Sequence, residues 1–438
     1  MASAALAAGA TPHVLSASEG RSVELLPPRR HQEANDQIQL AVIGSGGMGM
    51  SDVDTATQIP GVRLVAACDL YDGRLASARG KFGGDLFTTR DYREVLARDD
   101  VDAVIVATPD HWHSKISSDA LRAGKGVYCE KPMVHAIPQA RDVIQAQKET
   151  GGTFQVGSQG MSSLGNEKAK ELFEDGAIGE LNYAEGFWAR NDPVGAWQYA
   201  IPDDASEETV DWDRFLGQAP ATAFDPVRFF RWRNYKDYGT GVSGDLFVHL
   251  FSSLHFIVAS VGPKTIMAQG GLRYWKDGRE VPDVLLGMFD YPETQSHPPF
   301  NLSLRVNFVD GTSGSTFLRL VGNEGAMDVT WTDVVLRRNK VNGPMDVFAQ
   351  RKADEMEAMT SARKQMLPPA ESVFMAERGY RGAHFDHFMN FFSGVRNGTP
   401  VAENAAFGLR AAAPALACNN SYFEGRIVRW NPEAMTLS

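Results

Sequence analysis

Apolar residues in the first third of the chain form short runs separated by amphipathic stretches, a pattern that indicates buried strands alternating with surface helices. The apolar runs have no polar face, as in VDAVIVA at residues 101–107, which is typical of strands covered by helices on both sides. We therefore expect an α/β fold with a doubly wound parallel sheet over residues 37–160. The predicted strands are 38–43, 63–68, 102–107, 126–129 and 153–156, and the predicted helices are 48–58, 72–82, 91–97, 113–123 and 138–149.

The pattern changes after residue 160, and we assign residues 161–438 to a second α/β domain. A helix is predicted at 164–175 and a strand at 179–188, followed by a long stretch, 189–240, that is rich in aromatic residues and proline. These aromatic side chains either pack the stretch against the sheet or line a sugar pocket, because pyranose faces stack on aromatic rings. The sequence leaves both interpretations open.

A helix is predicted at residues 241–260, and consecutive β-like runs with short turns then predict a largely antiparallel sheet. The charged, weakly patterned residues 341–375 are interpreted as a surface excursion, and two C-terminal helices are predicted at 378–396 and 404–424. The β-like runs are 265–272, 284–291, 301–309, 315–321 and 334–338.

Residues 1–36 precede the first predicted strand of the parallel sheet. The stretch MASAALAAGATPHVLSAS is rich in Ala and Ser and resembles the apolar end and cleavage region of an export signal without its basic leader. We expect a periplasmic or exported protein on this ground; the alternative is a disordered arm on a cytoplasmic protein.

Composition narrows the function classes. The chain has 438 residues, of which 43% are hydrophobic and 22% charged, as in a soluble globular protein of two or three domains. No apolar run reaches the length of a membrane span, and a net charge of −11 without a basic stretch argues against nucleic acid as a partner. Cys68, Cys129 and Cys418 have neither zinc nor disulfide spacing, so we expect buried thiols and no metal.

The stretch IQLAVIGSGGMG, residues 38–49, runs from a predicted strand through a glycine turn into a helix. Gly44 permits the tight turn, Gly46 lets the backbone approach a pyrophosphate, and Gly49 lets the helix pack close to the strand. The anion would bind the free N–H groups at the helix N-terminus. The candidate dinucleotide-binding residues here are Gly44, Ser45, Gly46, Gly47, Met48 and Gly49.

The second predicted strand ends in Asp69, about 20 residues beyond the last of these glycines. An acid at this position reaches the adenosine ribose hydroxyls and would repel a 2′-phosphate, so it favours NAD. Arg74 is close enough in sequence to keep NADP open as the cofactor.

The stretch TPDHWHSKISSDALRAGKGVYCEKP, residues 108–132, connects two strand ends at the carboxyl edge of the predicted sheet, where such folds bind ligands. Thr108, Pro109 and Glu130 are candidate cofactor contacts, although EKP alone is also compatible with a surface salt bridge. His111 and His113 flank Trp112, and without further ligands nearby they do not indicate zinc. They are either hydrogen-bonded near the sheet edge or contact cofactor or substrate.

The stretch GVSGDLFVH contains Asp245 and His249, which are four residues apart and would share one face of a helix. Such a pair is either solvated or an acid/base pair, in which the carboxylate sets the tautomer of the imidazole and raises its pKa.

Taken in order, the motifs GxGxxG, TPxxxH, AGKxVxxEKP and GxxxDxxxH resemble those of the Gfo/Idh/MocA oxidoreductases over residues 37–320. The resemblance implies a Rossmann domain followed by an α/β domain with a large, open, mostly antiparallel sheet. It also implies a homodimer or homotetramer formed through that sheet.

The resemblance implies roles for individual residues. Lys131 matches the lysine that contacts nicotinamide ribose and substrate, and Asp245 and His249 match the substrate-binding acid and the catalytic histidine. His113 matches the histidine of the TPxxxH motif and is a candidate cofactor contact. Asp110 departs from the family pattern, since many relatives have Asn there.

These residues suit the oxidation of a secondary alcohol. His249, held by Asp245, would take the hydroxyl proton, and Lys131 would stabilise the developing alkoxide. Weaker candidates for a polyol-binding rim are Trp112, Gln159, Arg231, Trp232, Asn234 and Tyr235.

Three functions remain open at this level. The first is an NAD(P)-dependent oxidoreductase acting on a sugar, polyol or glycoside. The second is an NAD-dependent glycoside hydrolase that works by oxidation, elimination, hydration and reduction, and the third is a non-catalytic sensor, which the complete set of motifs disfavours. Export would require a tightly bound cofactor, because no exchangeable NAD pool exists outside the cytoplasm.

Overall fold

The computed structural model describes residues 14–17, 21–29, 37–311, 314–338 and 370–438. The described residues form one parallel sheet flanked by helices and one large, mostly antiparallel sheet, which confirms the predicted α/β class. Among them, no helix combines the length and apolar character needed to cross a membrane.

The parallel sheet has the strand order β5-β4-β3-β6-β7-β8. Strands β4 and β5 are added on one side of β3, and the chain then crosses over to add β6, β7 and β8 on the other side. This order places the ends of β3 and β6 side by side at the switch point, where doubly wound sheets bind ligands. The five predicted strands are confirmed, whereas β5 was not predicted because three residues carry no periodicity. The strands are β3 Ile38–Ile43, β4 Val62–Cys68, β5 Phe87–Thr89, β6 Ala103–Val106, β7 Gly126–Cys129 and β8 Phe154–Val156.

Helices cover both faces of this sheet and one face of the second. Local sequence sets several of their ends: the Ser163 side chain caps α6 by accepting from the Asn166 amide, and Gly398, at φ 66°, ends α10. The helices are α1 Gly47–Ala56, α2 Asp72–Phe82, α3 Tyr92–Leu96, α4 Asp110–Arg122, α5 Ala140–Thr150, α6 Leu164–Glu174, α7 Trp212–Leu216, α8 Pro226–Phe230, α9 Val248–Val258, α10 Ala383–Asn397 and α11 Ala405–Glu424.

The large sheet has the order β1-β2-β16-β15-β14-β13-β9-β12-β11-β10-β17-β18. Among the described residues its pairs are antiparallel except β9 with β12 and β2 with β16. Its strands are β1 Val14–Ala17, β2 Arg21–Leu26, β9 Leu181–Ala189, β10 Thr265–Gly271, β11 Val284–Tyr291, β12 Phe300–Asn307, β13 Thr316–Gly322, β14 Gly325–Val329, β15 Asp333–Arg338, β16 Ala370–Ala376, β17 Val428–Asn431 and β18 Thr436–Leu437.

Two sequence interpretations are wrong at the edge of this sheet. The region interpreted as a disordered arm contributes β1 and β2, because β2 forms a parallel ladder with β16 over six residue pairs. The last part of the region interpreted as a surface excursion is β16 itself, which pairs with β15. Residues 1–13 of the interpreted export signal and residues 339–369 lie outside the described residues.

The helix α10 packs against the parallel sheet, although the sequence assigned it to the second domain. Four of its phenylalanines share one buried cluster with strand residues of β3, β6 and β7. The ring of Phe388 stacks on Tyr128 of β7 with a centroid distance of 4.3 Å. The end of the chain therefore covers one face of the Rossmann-like sheet.

Residues 190–240, here called the aromatic arm, lie across the carboxyl edge of the parallel sheet. Tyr71, which follows β4, forms an antiparallel bridge with Val210 of the arm. Around this bridge the buried aromatic residues Trp212, Phe215, Phe229, Phe230, Tyr235 and Tyr238 form a separate core cluster. Packing within the arm and on Tyr71 thus accounts for most of the aromatic residues in this stretch.

Candidate active site

The glycine turn after β3 has the geometry that a dinucleotide requires. Gly44 has φ +95°, and a Cβ added there would lie 2.5 Å from the carbonyl oxygen of Ala107. A Cβ on Gly49 would lie 1.9 Å from the Gly44 carbonyl oxygen, so α1 can pack against the turn only with glycine there. The N-terminus of α1 has no side-chain cap, and a Cβ at Gly47 would meet nothing within 4 Å. The free amides therefore face open space that fits a pyrophosphate.

Asp69 lies beside this turn at the end of β4 and is 5% exposed. Its Oδ1 accepts hydrogen bonds from the Tyr71 amide at 3.0 Å and from Arg74 Nη1 at 3.4 Å. The guanidinium carbon of Arg74 lies 3.4 Å from the position of a Cβ on Gly46, so Arg74 lies across the glycine turn. Asp69 and Arg74 are thus placed where an adenosine ribose would bind.

Lys131 and Asp245 meet at the other end of the same edge. Lys131 Nζ lies 2.9 Å from Asp245 Oδ1 and 2.8 Å from the backbone carbonyl oxygen of Asp245. Arg233 Nε, from the aromatic arm, lies 3.3 Å from the same Oδ1. The three charged groups form a compact cluster with one carboxylate between two cations.

The charges in this cluster are fixed by their surroundings. Burial alone would raise the pKa of Asp245, but the positive charges of Lys131, Arg233 and Arg190 together lower it below its ordinary value. Burial lowers the pKa of His249 well below its ordinary value, and the charge of Lys131 acts in the same direction. At neutral pH the cluster thus contains an ionised carboxylate and an uncharged imidazole.

The predicted pairing of Asp245 with His249 is not observed as a hydrogen bond. Residues Ser243–Phe247 form a π-helix, in which residues four apart no longer lie directly above one another as they do in an α-helix. The carboxylate of Asp245 instead binds Lys131 and Arg233, and neither ring nitrogen of His249 forms a hydrogen bond with another described residue.

One cavity of about 850 Å³ joins the glycine turn to the charged cluster. Its lining includes most of the sequence-predicted cofactor residues, namely Gly44, Gly46, Gly47, Met48, Asp69, Thr108, Pro109 and Glu130, together with Lys131, Asp245 and His249. Ser45 and Gly49 are not in the lining; Gly49 supports the turn from beneath. The nucleotide turn and the candidate catalytic residues therefore face the same cavity.

Three of the six predicted rim residues line this cavity: Trp112, Gln159 and Trp232. Arg231 instead binds the Tyr199 carbonyl at 2.9 Å and the Gln198 side chain at 2.7 Å. Asn234 is buried, and Tyr235 packs beneath the guanidinium of Arg228. These last three residues stabilise the aromatic arm and do not face the cavity.

Trp112 lies under the aromatic arm. Its indole Nε1 donates to the Phe215 carbonyl at 2.9 Å, and a Cβ on Gly217 would lie 2.5 Å from its ring. The edge of Tyr92 completes this contact, with ring centroids 6.1 Å apart. Trp112 thus contacts the aromatic arm at the cavity. His111 also binds the Phe215 carbonyl, at 2.7 Å, and burial lowers its pKa to about 4.

His113 is 1% exposed and does not line the cavity, contrary to its prediction as a cofactor contact. Its ring nitrogens lie 2.7 Å from the Pro132 carbonyl oxygen and 2.8 Å from the Thr108 carbonyl oxygen. His113 therefore links the loop of Thr108 to the loop of Pro132. The peptide bond between Lys131 and Pro132 is cis.

Asp110, the residue that departs from the family pattern, is buried and accepts two hydrogen bonds from Thr240. Its Oδ2 lies 2.9 Å from the Thr240 amide and 2.7 Å from the Thr240 hydroxyl. Thr240 immediately precedes the helix that contains Asp245. Asp110 therefore links the N-terminus of α4 to the charged cluster.

Glu130 is buried beside the cavity and accepts a hydrogen bond of 2.9 Å from Gln159 Nε2. Burial, together with the nearby carboxylate of Asp52, raises the pKa of Glu130 to about 8. The EKP glutamate therefore carries a proton for much of the time at neutral pH, and the interpretation of EKP as a surface salt bridge is wrong.

The sequence did not single out several residues that line the cavity. Arg233 reaches Asp245, and Arg190, held by the Gly195 carbonyl at 2.7 Å, contributes a second guanidinium. Arg233 lies in the run RWRN, in which Arg231, Trp232 and Asn234 were predicted from the sequence as rim residues but Arg233 was not. The other unpredicted lining residues of the arm include Trp197, Tyr199, Phe229 and Phe230.

Comparison with known families identifies the first domain. Residues 38–158 match the Gfo/Idh/MocA family model, described as an oxidoreductase family with an NAD-binding Rossmann fold. This match covers the glycine turn, Asp69 and Lys131. The dinucleotide-binding domain belongs to the Gfo/Idh/MocA oxidoreductase family.

Relatives match about a third of the chain. An inositol 2-dehydrogenase of Rubrobacter xylanophilus is 33% identical over 159 residues, which are 36% of this chain and 45% of that protein. A glycosyl hydrolase family 109 protein 2 of Shewanella sp. strain ANA-3 is 34% identical over 158 residues, which are 34% of this chain and 33% of that protein. The match thus spans less than half the length of each relative.

Solved structures share the fold over about nine tenths of the chain. GenD2 from gentamicin A biosynthesis, in complex with NAD, aligns with a TM-score of 0.66 at 19% identity over 93% of this chain and 99% of that one. Levoglucosan dehydrogenase, in complex with NADH and levoglucosan, aligns with a TM-score of 0.65 at 18% identity over 90% and 99%.

The match of residues 38–158 to the Gfo/Idh/MocA family model agrees with the geometry of the turn. The glycine loop, the uncapped α1 N-terminus and Asp69 fit an NAD-type dinucleotide, as the motif predicted. The first domain is thus an NAD-binding Rossmann domain. The aromatic arm meets the edge of this domain at the bridge between Tyr71 and Val210.

Proposed function

We propose that this protein is an NAD(P)-dependent oxidoreductase that acts on a secondary alcohol of a sugar, polyol or glycoside. One observation carries the proposal: the glycine turn with Asp69 and the cluster of Lys131, Asp245 and His249 line the same cavity. A nicotinamide dinucleotide bound to the turn supplies a hydride acceptor for carbon oxidation.

Each residue of the cluster has its own role in the reaction. His249, uncharged at neutral pH, accepts the proton of the substrate hydroxyl as its carbon is oxidised. Lys131, paired with the ionised Asp245, stabilises negative charge that develops on the hydroxyl oxygen. Asp245 in turn holds the ammonium group of Lys131 in the cavity.

The lining favours a hydroxyl-rich substrate. Guanidinium groups of Arg190 and Arg233 and the indoles of Trp197 and Trp232 meet in the cavity, and such groups bind hydroxyls and stack on sugar faces. Two similar proteins act on ligands of this class by name, inositol 2-dehydrogenase and levoglucosan dehydrogenase. Polyols and anhydrosugars are therefore the first compounds to examine.

The contacts of the aromatic arm favour a cofactor that stays bound to the protein. It bridges to Tyr71, and Arg90 holds both Asp72, at 2.6 Å, and the arm carbonyl of Glu208, at 2.9 Å. Arg74 lies 5.3 Å from the ring centroid of the arm residue Phe230. A dinucleotide lying on the turn would be enclosed between the sheet edge and the arm.

Retention gives weight to a second candidate, a redox-neutral glycoside hydrolase in which the cofactor never leaves. The same cluster would perform the first proton transfer in either reaction. The match to a glycosyl hydrolase family 109 protein supports this alternative. A glycoside hydrolase of this kind would release an aglycone without net reduction of the cofactor, whereas the oxidoreductase would reduce it.

The test begins with freshly purified, desalted protein. Denaturing it and assaying the supernatant for NAD(H) and NADP(H) should release about one equivalent per chain. Polyols, anhydrosugars and aryl glycosides are then added to the intact protein, and the absorbance of reduced nicotinamide and free aglycone are followed. Protein that neither contains nor binds a dinucleotide and responds to no compound would overturn the proposal.

We also propose a homodimer or homotetramer formed through the large sheet. Its uncovered face exposes Met267, Leu286 and Met288 at 37%, 50% and 53%, beside Phe187 and Phe317. An apolar surface of this kind is typical of a protein interface. Light scattering should give a mass above that of one chain, and Met288→Lys should lower it.

Export is proposed from the composition of residues 1–18 alone. A cleaved leader would have to end before Val14 to leave β1 and β2 in the sheet. N-terminal sequencing of protein recovered from the periplasm would test this, and an intact N-terminus on cytoplasmic protein would contradict it.

A further inference from the structure

The imidazole of His249 lacks the carboxylate partner that the sequence predicted. Asp245 is engaged by Lys131 and Arg233, and the π-helix between the two residues changes their relative direction. Yet His249 is 92% buried, since its exposed fraction is 8%, so its ring plane must be held by other neighbours.

Two tryptophans occupy that place. The indole of Trp188, in β9, stacks on the imidazole of His249 with a centroid distance of 5.1 Å and an interplanar angle of 30°. The indole of Trp331, in the turn between β14 and β15, meets the same imidazole edge-on, with a centroid distance of 5.9 Å and an angle of 61°. The stacked indole of Trp188 restricts tilting of the imidazole, and the edge-on indole of Trp331 restricts its sliding across the face of Trp188.

The position of Trp331 is closely specified by two glycines. A Cβ on Gly160 would lie 2.5 Å from Trp331 Nε1, and a Cβ on Gly165 would lie 2.0 Å from the Thr330 carbonyl oxygen. The turn that carries Trp331 therefore fits against the start of α6 and the 3-10 segment before it only because both positions lack side chains. The large sheet is thus docked directly beside the candidate base.

The charged groups near His249 come from four elements. Lys131 follows β7, Arg190 follows β9 and His387 lies in α10, and all three disfavour a charged imidazole; Asp245, in the π-helix, favours one. The indoles add apolar surface on two sides. Both effects keep the ring neutral and able to accept a proton.

We propose that Trp188 and Trp331 are positioning residues for His249, which clamp its imidazole so that a ring nitrogen meets the hydroxyl of the bound substrate. The inference rests on the proposed function and adds to it how the base is oriented without a carboxylate. In the step concerned, the substrate O–H bond breaks and an N–H bond forms on His249. The two tryptophans touch neither atom.

The experiment compares Trp188→Leu and Trp331→Leu with the conservative Trp188→Phe and Trp331→Phe. Trp275→Leu is the matched control, because Trp275 is another half-buried tryptophan of the same domain and binds the Phe308 carbonyl at 3.2 Å. The proteins carry labelled histidine and their natural cofactor, and His249→Gln identifies the His249 resonances. Each variant is titrated by NMR, and kcat/KM is measured against pH.

In both leucine variants we expect the pKa of His249 to move up towards that of free histidine, and the acid limb of kcat/KM to move with it. We expect kcat to fall about 100-fold, as for a slightly misplaced catalytic group, with KM little changed. The phenylalanine variants should recover most of the rate, and Trp275→Leu should leave the histidine titration unchanged.

An unchanged titration of His249 in folded Trp188→Leu or Trp331→Leu would overturn the proposal. If one leucine variant does not fold, the other carries the same test. The NMR titration needs no turnover, so an inactive wild-type protein with a shifted His249 in the variants would refute the proposed function while supporting the clamp. Normal turnover by the wild-type protein, with an unchanged His249 titration in the variants, would support the proposed function and refute the clamp.

Discussion

The ammonium group of Lys131 binds both the side chain and the backbone of Asp245. Its nitrogen lies 2.9 Å from Asp245 Oδ1 and 2.8 Å from the Asp245 carbonyl oxygen. Two acceptors from one residue fix the direction of the lysine as well as its charge. The EKP loop and the π-helix are thereby joined at the point where the nucleotide turn and the second domain face the same cavity.

We expect Lys131→Met to lower the rate of cofactor reduction by the best substrate about 100- to 1,000-fold, the typical loss on removing one group that stabilises an oxyanion. Cofactor content should remain near that of the wild type, since Asp69 and the glycine turn are untouched. Stopped-flow absorbance of reduced nicotinamide measures the rate. Lys264→Met, which removes the exposed pair with Asp290, is the control, and a rate for Lys131→Met within threefold of it would contradict the assignment.

Asp69 and Arg74 predict how cofactor preference can be changed. Asp69→Ser removes the carboxylate that accepts from Arg74 and would bind the ribose, so NAD affinity should fall about 10- to 100-fold. The freed guanidinium should then favour NADP. Calorimetric titration of nucleotide-free protein with both dinucleotides measures the change.

The double variant Asp69→Ser/Arg74→Ala separates the two effects in that experiment. It should bind NAD as weakly as the single variant but lose the gain in NADP affinity. Equal NAD affinity in wild type and Asp69→Ser would show that this carboxylate does not face the nucleotide.

The bridge between Tyr71 and Val210 allows the aromatic arm to be locked. Hydrogen bonds from the Asp72 amide to Thr209 at 3.0 Å and from the Asp211 amide to Leu70 at 2.8 Å flank it, which makes it a non-hydrogen-bonded pair. Cα atoms in such pairs are about 4.5 Å apart, within the range of a disulfide. The Tyr71→Cys/Val210→Cys variant should therefore cross-link the arm to the sheet edge.

Oxidised Tyr71→Cys/Val210→Cys protein should release its cofactor at least about tenfold more slowly than the same protein after reduction, a difference of about 1.4 kcal/mol in the barrier. The reduced form is its own control, and the three native cysteines are buried and unpaired. Release is followed by fluorescence after dilution. Equal release rates would mean that the cofactor leaves without movement of the arm.

Glu403 should make the stability of the protein depend on pH. It is fully buried, accepts from the Ser252 hydroxyl at 3.1 Å, and burial raises its pKa from 4.5 to about 8. The folded chain therefore holds this proton more tightly than the unfolded chain. Its stabilising contribution is complete below pH 4.5 and is lost as the pH rises towards 8, with a slope of at most about 1.4 kcal/mol per pH unit.

Glu403→Gln should remove that loss, so its free energy of unfolding, relative to the wild type, should increase between pH 6 and pH 8. Buried histidines such as His387, whose pKa burial lowers to about 4, act in the opposite sense below pH 6.5 and are common to both proteins. Denaturant titrations at several pH values measure the difference. Parallel profiles for wild type and variant, as expected for the exposed Glu424→Gln, would contradict the assignment.

Short-range patterns in the sequence predicted much of this protein. Apolar runs and glycine turns gave the strands of the parallel sheet, because burial on both faces leaves a continuous hydrophobic signal. The motif order placed Gly44, Asp69 and Lys131 at one edge, because parallel strands all end on the same side of their sheet. The helix pattern likewise gave α10 and α11 within a few residues.

Only the tertiary structure decided which partners these residues take. The spacing of Asp245 and His249 suggested a pair on an α-helix, but a π-helix, Lys131 and Arg233 separate them. Trp188, Trp331 and His249 meet although they are far apart in the chain, because a strand, a turn and a helix pack together there. The edge strands β1 and β2 depend on a parallel ladder with β16, more than 300 residues away. Local sequence encodes which face of an element is buried, whereas the packing of distant elements selects what lies against it.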